Sequence, residues 1–357
     1  MADRDPIVAA VAAAVGLAEG PRGVDAVLAA LVRLEPVSIR ALGRAADLPV
    51  PIVAAICGEL RKQGIVSETR PAQLTIAGRR RFATAGGHTV DAACPACGGR
   101  GVALPPSVAR LRRGLARVAE SAPEARPELD QCHCTPKTKL RRVLALHAAG
   151  AIGGKRIVLL GDDDLTSVAL GRFVEQLGAR PPVEELAVLD VDDRVLAFAA
   201  EQLRDAPFRV RTAHADLRDP LPPALARGFD TVVTDPPYTT AGARLFLARA
   251  VEALAGEAAE IFLSFGSRRP RAQFELQRTI VEAGLEIRAL TRDFNDYVGA
   301  GVIGGTSHLY HLRAAADVRP PLTGRYDGPL YTAAFRRRTA SMPSTSRRHE
   351  RRSAEAR

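Results

Sequence analysis

Arg156-Ile157-Val158-Leu159-Leu160-Gly161-Asp162-Asp163-Asp164-Leu165-Thr166-Ser167 is the stretch on which the reading of this chain turns. It opens on a near-continuous apolar run, which suits a strand buried on both faces. Gly161 ends the run, three carboxylates follow, and residues 165–177 take up helical spacing. Strand, tight loop and helix in that order open an α/β fold. The pattern recurs downstream. Further strands are expected at 186–190, 208–213, 229–234 and 260–265, and helices at 192–203, 241–255 and 274–283. Two last strands fit 285–291 and 307–312. This alternation implies an α/β architecture over residues 137–335: a Rossmann-like, methyltransferase-like, mostly parallel sheet with helices on both faces.

In such a sheet the ligand lies beyond the carboxyl ends of the strands. Here those ends are acidic. Asp162, Asp163 and Asp164 follow the first strand, Asp190, Asp192 and Asp193 the second, Asp216 and Asp219 the third, and Asp235-Pro236-Pro237-Tyr238 the fourth. A single aspartate there can be a helix cap, and Asp192 or Asp193 reads as one. Caps do not explain four acidic loops on one edge. A dinucleotide site would carry G-x-G-x-x-G in the first loop, whereas a lone Gly161 with three carboxylates repels phosphate. NAD and ATP are therefore disfavoured, and a cationic ligand is expected. Asp190 suits ribose hydroxyls, Asp216 with Leu217 suits an adenine, and Gly161 is a candidate contact for the same nucleoside. A cationic adenosine derivative is a sulfonium compound. Asp235 supplies a carboxylate, Pro236 and Pro237 stiffen the loop, and Tyr238 adds an aromatic face, a combination that can hold an amine. Amino-methyltransferases use the same tetrapeptide.

The flanking regions read differently. Residues 1–83 suggest a small winged-helix domain: helices at 24–34, 39–46 and 51–63, strands at 65–68 and 73–76, and a wing at 74–78 before an arginine run. Packing or dimerisation, rather than DNA binding, is the expected use, because fold does not fix function. Residues 7–18 are apolar, but Asp3, Arg4 and Asp5 precede them. A signal leader is positive, so an Ala-rich helix is expected instead. No run of 18 apolar residues suggests a membrane span. Residues 84–136 form a linker with a helix at 107–121 and four paired cysteines. Cys94-x-x-Cys97 and Cys132-x-Cys134 are a candidate structural zinc site, with His133 as a substitute ligand. Of the net charge of +10, six units lie in the tail, 336–357, which holds eight Arg and two Glu. That composition predicts a disordered segment able to touch nucleic acid or another anion.

The motifs Gly161-Asp162-Asp163-Asp164-Leu165-Thr166-Ser167, Asp235-Pro236-Pro237 and Phe294-Asn295-Asp296-Tyr297-Val298 resemble those of the branched-chain polyamine synthases, the N(4)-bis(aminopropyl)spermidine synthases. The resemblance implies a cytoplasmic enzyme, a homo-oligomer and expectedly a dimer. Its activity would be two successive aminopropyl transfers from decarboxylated S-adenosylmethionine to the central secondary amine of spermidine. No catalytic cofactor is implied. It also implies catalytic roles for the carboxylates of the first loop, and substrate contacts at Asn295, Asp296 and Tyr297. The leaving group would be neutral methylthioadenosine, so the chemical difficulty is the amine, which must lose a proton to attack. Asp162 and Asp164 are the first candidates for holding the amine and taking that proton, with Asp163 and Asp235 beside them. The alternatives are an S-adenosylmethionine-dependent amino-methyltransferase acting on nucleic acid, and a winged-helix regulator whose second domain senses a ligand.

Overall fold

The computed structural model describes residues 5–85, 94–179, 181–266, 270–299 and 305–332. The basic tail lies outside the described residues. The chain begins with helices α1 (Pro6–Val15), α2 (Pro21–Leu34), α3 (Ile39–Ala46) and α4 (Val50–Lys62). Asp5 caps α1 by accepting from Ile7 N at 2.9 Å, and Ser38 caps α3 by accepting from Ala41 N at 3.2 Å. Their inner faces bury Val24, Val27, Leu31, Leu42, Ile56 and Leu60 in one shared core. Each such side chain contributes on the order of 1.5–3 kcal/mol.

The expected hairpin is reduced to one antiparallel bridge, Val66 with Leu74, flanked by bonds from Ser67 N to the Gln73 carbonyl at 2.8 Å and from Thr75 N to the Ile65 carbonyl at 2.9 Å, and a second bridge joins Val37 to Ala72. The wing segment is instead a short helix, α5 (Ile76–Phe82). The reason is local. The Thr75 hydroxyl accepts from Gly78 N at 3.0 Å, a cap that starts the helix, and Phe82 turns into the core. Gly78 lies so close to Ile65 that a Cβ would sit 2.3 Å from its carbonyl oxygen.

After α6 (Ala109–Ser121) comes α7 (Pro136–Ala148), which the sequence reading leaves unassigned. The Rossmann-like part then runs β1 (Arg156–Leu160), α8 (Thr166–Leu177), β2 (Glu185–Asp190), α9 (Asp193–Gln202) and β3 (Arg209–His214). It continues with β4 (Thr231–Thr234), α10 (Thr240–Ala253), β5 (Glu260–Phe265), α11 (Pro270–Glu282), β6 (Leu285–Asp296) and β7 (Thr306–Ala314). The sheet order is β3-β2-β1-β4-β5-β7-β6. The first five strands in chain order pair in parallel, and β7 is antiparallel to both β5 and β6. The mostly parallel, methyltransferase-like sheet expected from the sequence is present. Apolar clusters cover both of its faces. Strand order reverses between β1 and β4, and a ligand crevice belongs at that switch point. No single helix among the described residues is long and apolar enough to cross a membrane.

Candidate active site

Gly161 follows β1 with φ +74°, a left-handed conformation that disfavours a Cβ. It turns the chain so that the three following carboxylates point in three directions. Asp162 points inward. One oxygen accepts from Thr166 N at 2.7 Å and Ser167 N at 3.2 Å, and the other meets the Ser167 hydroxyl. It therefore caps α8 from within. Burial pushes its carboxyl up to about 7, against the Ser167 donors. Asp164 points toward α7, where Arg142 Nη1 donates to it at 2.7 Å and Cys134 N also donates. Burial would raise its carboxyl, but Arg142 and Lys139 hold it below the ordinary value.

Asp163 faces the crevice. It lines two adjoining cavities and is half-buried, and Cys132 N donates to its Oδ2 at 3.0 Å. Burial, then the charges of Asp164, Asp235 and Asp190, push this carboxyl well above its ordinary value. The sequence reading places Asp162 and Asp164 foremost. Those two are consumed by internal bonds, and Asp163 is the one presented to the cavities.

The first cavity contains Gly161, Asp190, Asp216 and Leu217, the residues assigned above to a nucleoside, with Val191 and Phe246 as apolar walls. Asp190 also braces the strand ends, accepting from Asp162 N and Asp192 N, both at 2.8 Å. The second cavity is lined by Asp130, Cys132, Asp163, Asp235, Pro236, Tyr238 and Tyr297. Asp130, Asp163 and Asp235 border both cavities. Among the described residues no lysine or arginine lines the second one. Burial, reinforced by Asp164, Asp163 and Asp235, pushes the Cys132 thiol up to about 12, so it stays neutral. Tyr238 donates to Tyr297 at 2.6 Å, and Tyr297 donates to Asp235 Oδ2 at 2.5 Å. Asp235 rises to about 6, burial outweighing Arg142 beside it.

Sequence reasoning missed what balances these charges. Helix α7 turns Lys139 and Arg142, one turn apart, into the interior. Arg142 bridges Asp164 and Asp235, each at 2.7 Å, and Lys139 meets the Asp164 carbonyl. The only sequence signal was an excess of strand-end carboxylates with no cation assigned to them. Asp130 was also missed. It sits in a left-handed turn at φ +57° and accepts from Thr332 N at 2.7 Å.

Two of the expected substrate contacts lie elsewhere. Asn295 is fully buried, accepting from Arg142 Nε at 2.9 Å and donating to Ser307 at 2.8 Å and Ser264 at 3.1 Å. Asp296 is drawn away from both cavities by Arg44 and Arg100, with Arg141 at 3.6 Å. It joins α3 and the cysteine linker to the end of β6. The four-cysteine zinc site is also corrected. Among the described residues no three His, Cys, Asp or Glu side chains gather to hold a metal. Cys134 is buried, its backbone bridged to Tyr297, and Cys132 faces the second cavity, while Cys94 is exposed. Their segment instead clamps the acidic loop. The His133 ring lies 2.8 Å from the Asp163 carbonyl and 2.8 Å from that of Pro123.

Comparison with known proteins shows the family. The family model of the branched-chain polyamine synthase A C-terminal domain matches residues 111–326. The chain is 34% identical to the N(4)-bis(aminopropyl)spermidine synthase of Methanocaldococcus jannaschii over 71% of each chain. It is 34% identical to that of Thermococcus kodakarensis, over 72% of this chain and 73% of the other. Its structure is similar to the branched-chain polyamine synthase of Thermus thermophilus in complex with N4-aminopropylspermidine and 5'-methylthioadenosine. There the TM-score is 0.72 at 25% identity, covering 93% of this chain and 99% of that one.

Proposed function

The chain belongs to the branched-chain polyamine synthase family, and from that premise we propose that it moves aminopropyl groups from decarboxylated S-adenosylmethionine to the secondary amine of spermidine. The observation that carries this reading is the junction of the two cavities at Asp163 and Asp235. A sulfonium nucleoside fits the first cavity, with Asp190 at the ribose and Asp216 with Leu217 at the adenine. A polycation fits the second, whose polar lining is carboxylate, tyrosine and a neutral thiol. Asp130 and Asp235 hold the flanking ammonium groups, and Asp163 takes the proton of the central nitrogen. The freed lone pair attacks the carbon next to sulfur. A C–N bond forms, the C–S bond breaks, and its electron pair leaves on neutral methylthioadenosine. Both substrates are cationic and both gain from the same negative junction, so alignment and charge work together. The same reading takes the working unit to be a dimer, which light scattering would show as twice the mass of the chain.

The test is direct. Purified protein is incubated with decarboxylated S-adenosylmethionine and spermidine, and the products are read by mass spectrometry. Methylthioadenosine and a branched aminopropylspermidine are expected in equal amounts for the first transfer. Formation of neither would overturn the proposal.

A further inference from the structure

Arg142 is marked by no motif, yet the whole acidic centre converges on it. Its side chain is enclosed in the interior. Nη1 donates to Asp164 at 2.7 Å, Nη2 to Asp235 at 2.7 Å and to the Tyr297 hydroxyl at 2.9 Å, and Nε to Asn295 at 2.9 Å. One guanidinium thus spans the loops after β1 and β4. Asp163 lies on the first of these loops, lines both cavities with Asp235 of the second, and has no ion pair among the described residues.

We propose that Arg142 is a positioning residue that sorts the carboxylates: it ties down Asp164 and Asp235 by ion pairs and leaves Asp163, which has none, to exchange a proton with the substrate amine. This rests on the aminopropyl-transfer reading and adds to it the residue that decides where the proton goes. A cation a few ångströms from a carboxylate favours the ionised form, and the effect grows where water is excluded. Asp164 shows this plainly, since its burial would raise it and Arg142 brings it down. Asp163 receives no such help. Around it stand Asp162 and Asp164 on its own loop, Asp190 after β2, Asp235 after β4 with Tyr238 and Tyr297, and Asp130, Cys132 and His133 of the linker. Of the described cations beside the loop, Arg142 is committed to the Asp164 and Asp235 carboxylates and Lys139 to the Asp164 carbonyl.

The geometry requires arginine. Asp164 and Asp235 are reached by different nitrogens of one planar fork, whereas a lysine offers a single point charge. Asn295 fixes the third nitrogen and is itself held by Ser264 and Ser307, so the plane of the fork is set.

The experiment is the pH profile of kcat/KM for spermidine in the wild-type chain, Arg142→Lys and Asp164→Asn, with methylthioadenosine binding to show that each is folded. In Arg142→Lys one of the two carboxylates loses its cation, so the acid limb should move up by about one pH unit. In Asp164→Asn, Arg142 serves Asp235 alone and a charge beside Asp163 is gone, so the limb should move down by about one unit. A loss of activity in Arg142→Lys that is uniform at every pH, or an unshifted limb, would overturn the inference and leave the transfer reading standing. If Arg142→Lys does not fold, Asp164→Asn decides alone, and an unshifted or raised limb there overturns the inference. A wild-type chain that transfers no aminopropyl group at any pH would overturn the reading and the inference together.

Discussion

The two cavities share three carboxylates, but their remaining walls are of different kinds. The nucleoside side is built by strand ends, with Asp190 after β2 and Asp216 after β3 set into a partly apolar wall. The amine side is built by loops that meet from distant parts of the chain: Asp130 and Cys132 before α7, Pro236 and Tyr238 after β4, and Tyr297 after β6. The first is framed by strand ends and closed by residues 129–131 of the linker and by Leu330 and Tyr331. The second depends on α7 bringing a buried cation to hold the loops together. A carboxylate on this edge is thus enclosed by internal bonds or presented to a cavity according to which way its loop turns it, as the three adjacent aspartates show.

The sharpest way to break this comparison is Asp163→Asn. It keeps the shape and removes the carboxylate common to both sides. Transfer is expected to fall at least a hundredfold, equivalent to about 2.7 kcal/mol, while methylthioadenosine binding changes little. The same variant should melt higher than the wild type. The folded Asp163 carboxyl is raised, so the folded state keeps a proton that the unfolded chain releases above about pH 4. Stability is therefore lost as pH rises through that window, and asparagine escapes the loss. The gap in melting temperature should widen from pH 5 to neutral. Calorimetric melts across that range check it, and a gap that narrows would contradict the assignment.

Next in size is Asp296→Ala. It removes the carboxylate that gathers Arg44, Arg100 and Arg141 outside both cavities. A loss of about 1–3 kcal/mol in stability is expected from denaturant melts, with kcat changed by no more than a few-fold. A large loss of kcat at full stability would return Asp296 to the substrate. Asp162→Ala should cost about 1 kcal/mol through the α8 cap, with its main effect on melting rather than on the pH profile of transfer. Cys94→Ser is the smallest. Its thiol is exposed, so the change should lie within about 0.5 kcal/mol. A collapse of the fold on this substitution, with zinc found by elemental analysis, would restore the four-cysteine site.

Much of the fold was legible in the sequence because β1, β2 and β5 are apolar on both faces and end in marked loops. The wing after α4 was misread because Leu74 and Ile76 alternate like a strand, whereas Thr75 beside a close-packed Gly78 starts a helix. Helix α7 was missed because Lys139, Arg141 and Arg142 interrupt the apolar spacing that marks a core-facing helix, yet all three are buried. The acidic edge identified the kind of ligand, since several carboxylates cannot cradle a phosphate. It did not identify the reacting carboxylate. That choice depends on φ at Gly161 and on donors from residues 132, 134, 142 and 167, contacts that exist only after folding.

Charge selection at the junction is the centre of the account, and the donor tests it most directly. Ordinary S-adenosylmethionine carries a carboxylate that its decarboxylated form lacks. A carboxylate about 4 Å from even one ionised aspartate is opposed by a few kcal/mol at an effective dielectric near 20. Titration calorimetry of the wild-type chain with each compound should therefore find the decarboxylated donor tighter by at least tenfold, or about 1.4 kcal/mol. Equal affinities, or tighter binding of S-adenosylmethionine, would contradict the aminopropyl-transfer reading and favour a methyltransferase.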